Sequence, residues 1–182
     1  MDDRTPGIRL RPSIWRRLDA AARRAFPTAC TALLMLVLAT PLGLPEQGVL
    51  LPAVGLACVF FWSVFRPASM TPPMVFALGL LLDLLAYLPL GVGVLSLLGV
   101  HGVTAQARRF LIRHGFVLIW FSFLVIATAA AILGWVLSSL LTLRLLPFAP
   151  VLFQGALAAA LYPAIATLFA RAHANFADPE QA

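Results

Sequence analysis

Apolar side chains run along this chain in six long stretches, and every break between them is marked by proline, glycine or arginine. The first runs from Phe26 to about Leu44 and is closed by Pro41, Gly43 and Pro45; the second runs from Val49 to about Phe65. Pro67, Pro72 and Pro73 interrupt the pattern before a third stretch, from Pro72 or Pro73 to about Leu88. The turn Pro89-Leu90-Gly91 leads into a fourth that ends near Ala107, stopped by Arg108, Arg109 and Arg113. The fifth covers Phe116 to about Leu141, long enough to need a tilt or a bend at Gly134, and the sixth covers Pro150 to about Ala170. About 20 apolar residues in a helix cross a hydrocarbon layer roughly 30 Å thick. The pattern therefore predicts an all-α, polytopic membrane protein with six transmembrane helices over residues 26–171.

What precedes the first span has a different rhythm. Residues 1–12 hold Pro6, Gly7 and Pro12 and no periodicity, whereas Ser13 is placed to cap a helix. At 100° per residue Ile14, Trp15, Leu18, Ala21, Ala22, Ala25 and Phe26 share one arc, and Arg16, Arg17, Arg23 and Arg24 share the opposite one. Residues 1–25 thus read as a basic tail with an amphipathic helix lying on an anionic membrane surface, Trp15 at headgroup depth. The alternative is that the arginines mark topology without a helix. Ala39-Thr40-Pro41 is a poor cleavage site and five apolar stretches follow, so the first span is expected to be retained as an anchor. Residues 172–182 form a short polar tail.

Composition strengthens the membrane reading. The chain is 62% hydrophobic and 11% charged, where soluble domains run at about 45–50% and 25%. A globule of this size cannot hide so much apolar surface from water. The net charge of +6 comes from 13 basic residues, all arginine, against seven acids. Seven of those arginines precede the first span, and Arg66, Arg108, Arg109, Arg113 and Arg171 fall in segments on the same side, leaving only Arg144 opposite. By the positive-inside rule both termini are expected to face the cytoplasm, with the chain crossing its membrane several times. Trp62 and Arg66, with Phe60, Phe61 and Phe65, are expected to form an interfacial belt, as are Arg108 and Arg109. The charge is not accompanied by stacking platforms or a recognition motif, so it indicates lipid rather than nucleic acid. Cys30 and Cys58 lie within apolar stretches, as small space-filling hydrophobes.

Few residues carry chemistry. Asp83 is the one acid inside a span, and burying it in a helix costs roughly 2.5–3.5 kcal/mol unless something compensates. It must face other helices, and His101, Thr104 and Gln106 on the fourth span are its nearest polar candidates. From the turn at Pro89 and Gly91, Asp83 lies about 9 Å down one helix and His101 about 15 Å down the other. Two roles fit: a proton-coupled or ligand-binding pair, or an interhelical hydrogen bond that fixes packing. Small residues recur every four positions at Ala130, Gly134 and Ser138 and at Ala156, Ala160 and Ala164, faces suited to close packing inside the bundle or against a partner helix. Gly91, Gly93, Gly99 and Gly102 thin the fourth span in the same way. His114 and His173 beside arginine read as interfacial residues. No nucleophile elbow, zinc-protease helix, phosphate loop, paired carboxylates or metal spacing occurs, so neither catalysis, a metal nor a cofactor is expected.

Across about residues 60–110 a family resemblance emerges. The run Phe76-Ala77-Leu78-Gly79-Leu80-Leu81-Leu82-Asp83-Leu84-Leu85, then Pro89-Leu90-Gly91, then Gln106-Ala107-Arg108-Arg109-Phe110, led in by Trp62-Ser63-Val64-Phe65-Arg66-Pro67, resembles the rod shape-determining membrane protein family MreD. The outer spans match only in hydropathy and order, and the basic N-terminal extension is outside the likeness. The resemblance implies a non-enzymatic component of the cell-wall elongation machinery. Its implied partners are MreC first, then MreB, RodA and the elongation transpeptidase. It also implies a bundle similar to the S-components of energy-coupling-factor transporters, with Gly79 to Gly91 lining a pocket and Asp83 and Pro89 its key positions. The leading expectation is a scaffold. The alternative is a membrane small-molecule or lipid-precursor binding module, with a cavity lined by Asp83, His101 and aromatics; a channel or transporter comes third, since no inverted repeat is visible.

Overall fold

The computed structural model describes residues 14–40, 47–113 and 115–177, and among them every regular element is a helix. In chain order these are α1 (Ile14–Ala39), α2 (Gln47–Phe65), α3 (Pro72–Leu85), α4 (Val92–Leu111), α5 (Phe116–Thr142) and α6 (Ala149–Ala177). The expected cap at Ser13, the loop at Glu46, His114 and the last five residues lie outside the described set, as do the side chains of Trp15, Arg16, Arg17, Arg23, Arg171 and His173.

The helices alternate up and down. Midway along α1, where its apolar half begins, Phe26 packs edge-on to Trp62 of the last turn of α2, centroids 6.3 Å apart, and Thr28 Oγ1 donates to Met74 Sδ at 3.3 Å at the start of α3. Arg108 at the end of α4 donates from Nε to the Val64 carbonyl at 2.8 Å. Phe123 in the first half of α5 stacks on Tyr162 at the middle of α6 at 4.5 Å. Arg24, Arg66, Arg108, Arg109 and Arg113 therefore gather toward one end of the bundle, and Arg144 lies at the other.

α2 is the axis. Every residue from Ala53 to Val64 is buried, as a helix that is apolar all round requires. Phe60 meets both Phe123 and Tyr162, at 5.1 and 5.6 Å, which ties α2, α5 and α6 at one aromatic centre. This corrects the expected interfacial belt: Phe60, Phe61 and Trp62 are inside the bundle, Trp62 only 1% exposed, and Phe65 alone of that cluster points outward. The aromatic run looked like a headgroup girdle because sequence cannot show that other helices surround α2 on every side.

Among the described residues three helical segments, Gly48–Phe65, Phe116–Thr142 and Ala149–Leu168, are long and apolar enough, by length and composition, to cross a membrane. The apolar part of α1, Arg24–Ala39, and α3 are shorter, and α4 carries His101 at its middle and Gln106, Arg108 and Arg109 in its second half. α1 runs unbroken through the expected boundary at residues 25 and 26, with Pro27 inside it. α3 stops three residues before the expected Leu88. Tyr87 takes a left-handed conformation (φ 53°), and the Leu88 N–H closes on the Asp83 carbonyl at 3.1 Å, the six-to-one bond of a Schellman stop.

Candidate functional site

The α3–turn–α4 unit is organised around Asp83, which is 1% exposed. Its Oδ2 accepts from the Gly91 N–H at 2.8 Å and its Oδ1 from the Gly93 N–H at 2.6 Å. Those are two of the N–H groups that the start of α4 leaves without intrahelical acceptors. Both oxygens act as acceptors, as a carboxylate does, at the positive end of a helix dipole. The same residue therefore closes α3 with its backbone carbonyl and opens α4 with its side chain. Gly91, at φ +99°, supplies the left-handed turn that aims its N–H at the carboxylate, and the Pro89 carbonyl accepts the Val92 N–H at 3.2 Å.

Glycine is needed where these helices touch. A Cβ on Gly79 would sit 2.5 Å from Val94 Cα, and one on Gly93 would sit 2.6 Å from Asp83 Oδ1. Gly99 and Gly102 have nothing within 4 Å of an added Cβ, so the expected thin face of α4 reduces to Gly93.

The expected pairing of Asp83 with the polar residues of α4 does not form. His101 Nδ1 is instead 2.8 Å from Ser63 Oγ of α2, Gln106 is exposed, and Thr104 is fully buried with its hydroxyl unbonded among the described residues. Asp83 sits at the head of α4 while His101 lies well down it, and the carboxylate is already satisfied by the nearer N–H groups. The Ser63–His101 contact was not foreseen, because Ser63 reads in sequence as part of an apolar run. It is not a nucleophile pair open to substrate: Ser63 is 0% exposed. Two turns further along α4, Arg108 caps the α2 C-terminus through Val64, so this arginine is a structural tie, whereas Arg24 and Arg109 are exposed and Arg66 is half-buried.

The two small-residue rows separate. Ala130 and Ser138 of α5 are buried, and Gly134 faces α4, its added Cβ 3.6 Å from Ser96 Oγ. Ala156, Ala160 and Ala164 of α6 are all exposed, because α6 turns Val151, Gly155, Ala158 and Tyr162 inward.

A cavity of about 220 Å³ lies at the end opposite the cluster of five arginines, among α2, α3, α4, α5, α6 and the α3–α4 and α5–α6 connections. Its wall includes Val92, Gly93, Ser96, Gly134, Ser138 and Gln154. Neither Asp83 nor His101 lines it, contrary to the expectation for a binding module: Gly93 stands between the carboxylate and the space. A second, wholly lateral groove of about 300 Å³ runs along α4 and α5, and Ser96 and Ala130 line both. No group of three or more potential metal ligands occurs among the described residues. Comparison of the chain with family models, with curated proteins and with solved structures finds no match in any of the three.

Proposed function

We propose that this protein is a non-enzymatic component of a bacterial inner membrane that scaffolds cell-wall elongation in the manner of the MreD family, its first partner being the single-span protein MreC and its wider assembly including MreB, RodA and the elongation transpeptidase. Six helices embed it, both termini are cytoplasmic, and the arginine end meets anionic lipid. One observation carries the reading. The segment whose residues resemble MreD holds the positions whose chemistry the fold uses most tightly: Gly79 and Gly93 at the helix crossing, Asp83 and Gly91 at the cap, and Arg108 at the α2 tie. These contacts support the reading of a rigid frame.

The surface for a partner helix is α6, where Ala156, Ala160 and Ala164 form an outward row. In lipid no hydrophobic drive joins helices, so van der Waals fit against small side chains decides where one docks. Co-expression with MreC and capture from detergent tests the reading. Replacing the three alanines by leucine is expected to lower MreC capture at least fivefold while the protein stays monodisperse. Undiminished capture by that variant rejects the α6 surface, and failure of the unaltered protein to capture MreC rejects the scaffold assignment.

A further inference from the structure

We infer that the cavity and the groove together form one binding site for an uncharged, hydroxyl-bearing single-chain lipid, its polar end in the cavity and its chain along α4 and α5. The inference does not depend on the scaffolding reading.

Three observations carry it. First, the cavity is lined by polar side chains with nothing to bond. Ser96 and Ser138 are 8% and 7% exposed, and neither hydroxyl, nor the amide of Gln154, makes a hydrogen bond with another described residue. Buried hydroxyls and amides are ordinarily paired, and here their common direction is the cavity. Ser96 Oγ faces Gly134 across the gap, where the missing side chain leaves the space open.

Second, no charged side chain lines either space. An ionic headgroup would enter without a counter-charge, and an anionic one would approach the Asp83 carboxylate behind Gly93. Hydroxyl and amide groups can both donate and accept, which suits a neutral alcohol, ester or amide.

Third, Ser96 and Ala130 stand in the walls of both spaces, and the groove beyond is apolar and open to the surroundings of the bundle. Gly99, Val103, Val125, Ala129 and Leu133, all exposed, form its sides. A cavity alone of this size would take a compact molecule, near the lower limit of ordinary ligand pockets. With the groove leading from it, the shape fits a short polar head followed by a flexible hydrocarbon chain that enters sideways from lipid.

Photolabelling tests this in the full-length protein, held in phosphatidylcholine nanodiscs, with a monoacylglycerol that carries a diazirine in its chain. The expected result is saturable labelling concentrated on the α4 and α5 peptides that form the groove, displaced by unlabelled monoacylglycerol and at least tenfold less well by the corresponding fatty acid carboxylate. Gly134→Leu, which fills the junction, should reduce labelling at least fivefold. To separate a filled junction from a folding defect, the Ser96→Ala/Ser138→Ala double variant, which removes both hydroxyls at almost constant volume, is measured beside it and should raise the half-saturating concentration about tenfold. Labelling that never saturates and spreads over outward residues such as Leu33 and Val117 overturns the site, since that is ordinary lipid contact. Equal competition by the carboxylate, or a double variant that binds as the unaltered protein does, overturns the assignment of a neutral hydroxyl-bearing ligand.

Discussion

Asp83 shows how a costly residue becomes a structural one. A buried carboxylate is expensive alone, yet this one accepts two backbone N–H groups that would otherwise be unsatisfied at the head of α4. Removing it strips both at once, so Asp83→Ala should destabilise the protein by about 2–4 kcal/mol. Asp83→Asn keeps one acceptor but turns an NH2 toward the second N–H, and should cost about 1–3 kcal/mol. Unfolding midpoints in detergent measure both, and midpoints equal to that of the unaltered protein would remove the cap from the account. Thr104 is the opposite case: its fully buried hydroxyl has no partner among the described residues, so Thr104→Val, similar in shape, should leave stability unchanged or raise it by up to about 1 kcal/mol. A clear loss of stability would show that the hydroxyl is bonded. The sequence showed that Asp83 needed a compensating partner but pointed to side chains. The actual partners are backbone N–H groups, which every residue but proline carries and which no residue type announces.

At the scale of elements, helix identity was legible and helix surroundings were not. Apolar run length and the Pro and Gly breaks located α2, α3 and α5 to within three residues, because these residues act on the chain locally, whereas α4 runs on through Arg108 and Arg109 to Leu111, four residues past its expected end near Ala107. Two features depended on tertiary context: the burial of Trp62, set by the helices packed around α2, and the outward turn of Ala156, Ala160 and Ala164, which share their spacing with the inward row on α5. The end of α3 was misjudged by three residues because the stop uses Tyr87 in a left-handed conformation that glycine more often supplies. With 14 residues α3 covers only about 21 Å. In a bilayer its turn into α4 would then lie short of the water, where an internal cap such as Asp83 is most needed. The α3–α4 crossing gives a further prediction. Gly79→Ala drives a methyl against Val94 backbone and should destabilise by about 1–3 kcal/mol, whereas Gly99→Ala meets open space and should stabilise by about 0.5–1 kcal/mol. Comparable unfolding midpoints for the two variants would mean that the close approach at Gly79 is not what holds these helices together.

Across the whole molecule, the bundle has two unlike ends. One gathers Arg24, Arg66, Arg108, Arg109 and Arg113 and ties α2 to α4 through Arg108 and the Ser63–His101 contact; the other holds the Asp83 cap, the cavity and Arg144. A scaffold with cytoplasmic termini needs the first end inside and the second outside, and the proposed partner surface and lipid site both take their orientation from that. Single cysteines placed at Arg109 and at Arg144, in a background with Cys30 and Cys58 replaced by alanine, report it directly through a membrane-impermeant maleimide applied to spheroplasts. The account predicts labelling at position 144 in intact spheroplasts and at position 109 only after permeabilisation. Labelling at position 109 before permeabilisation would contradict it.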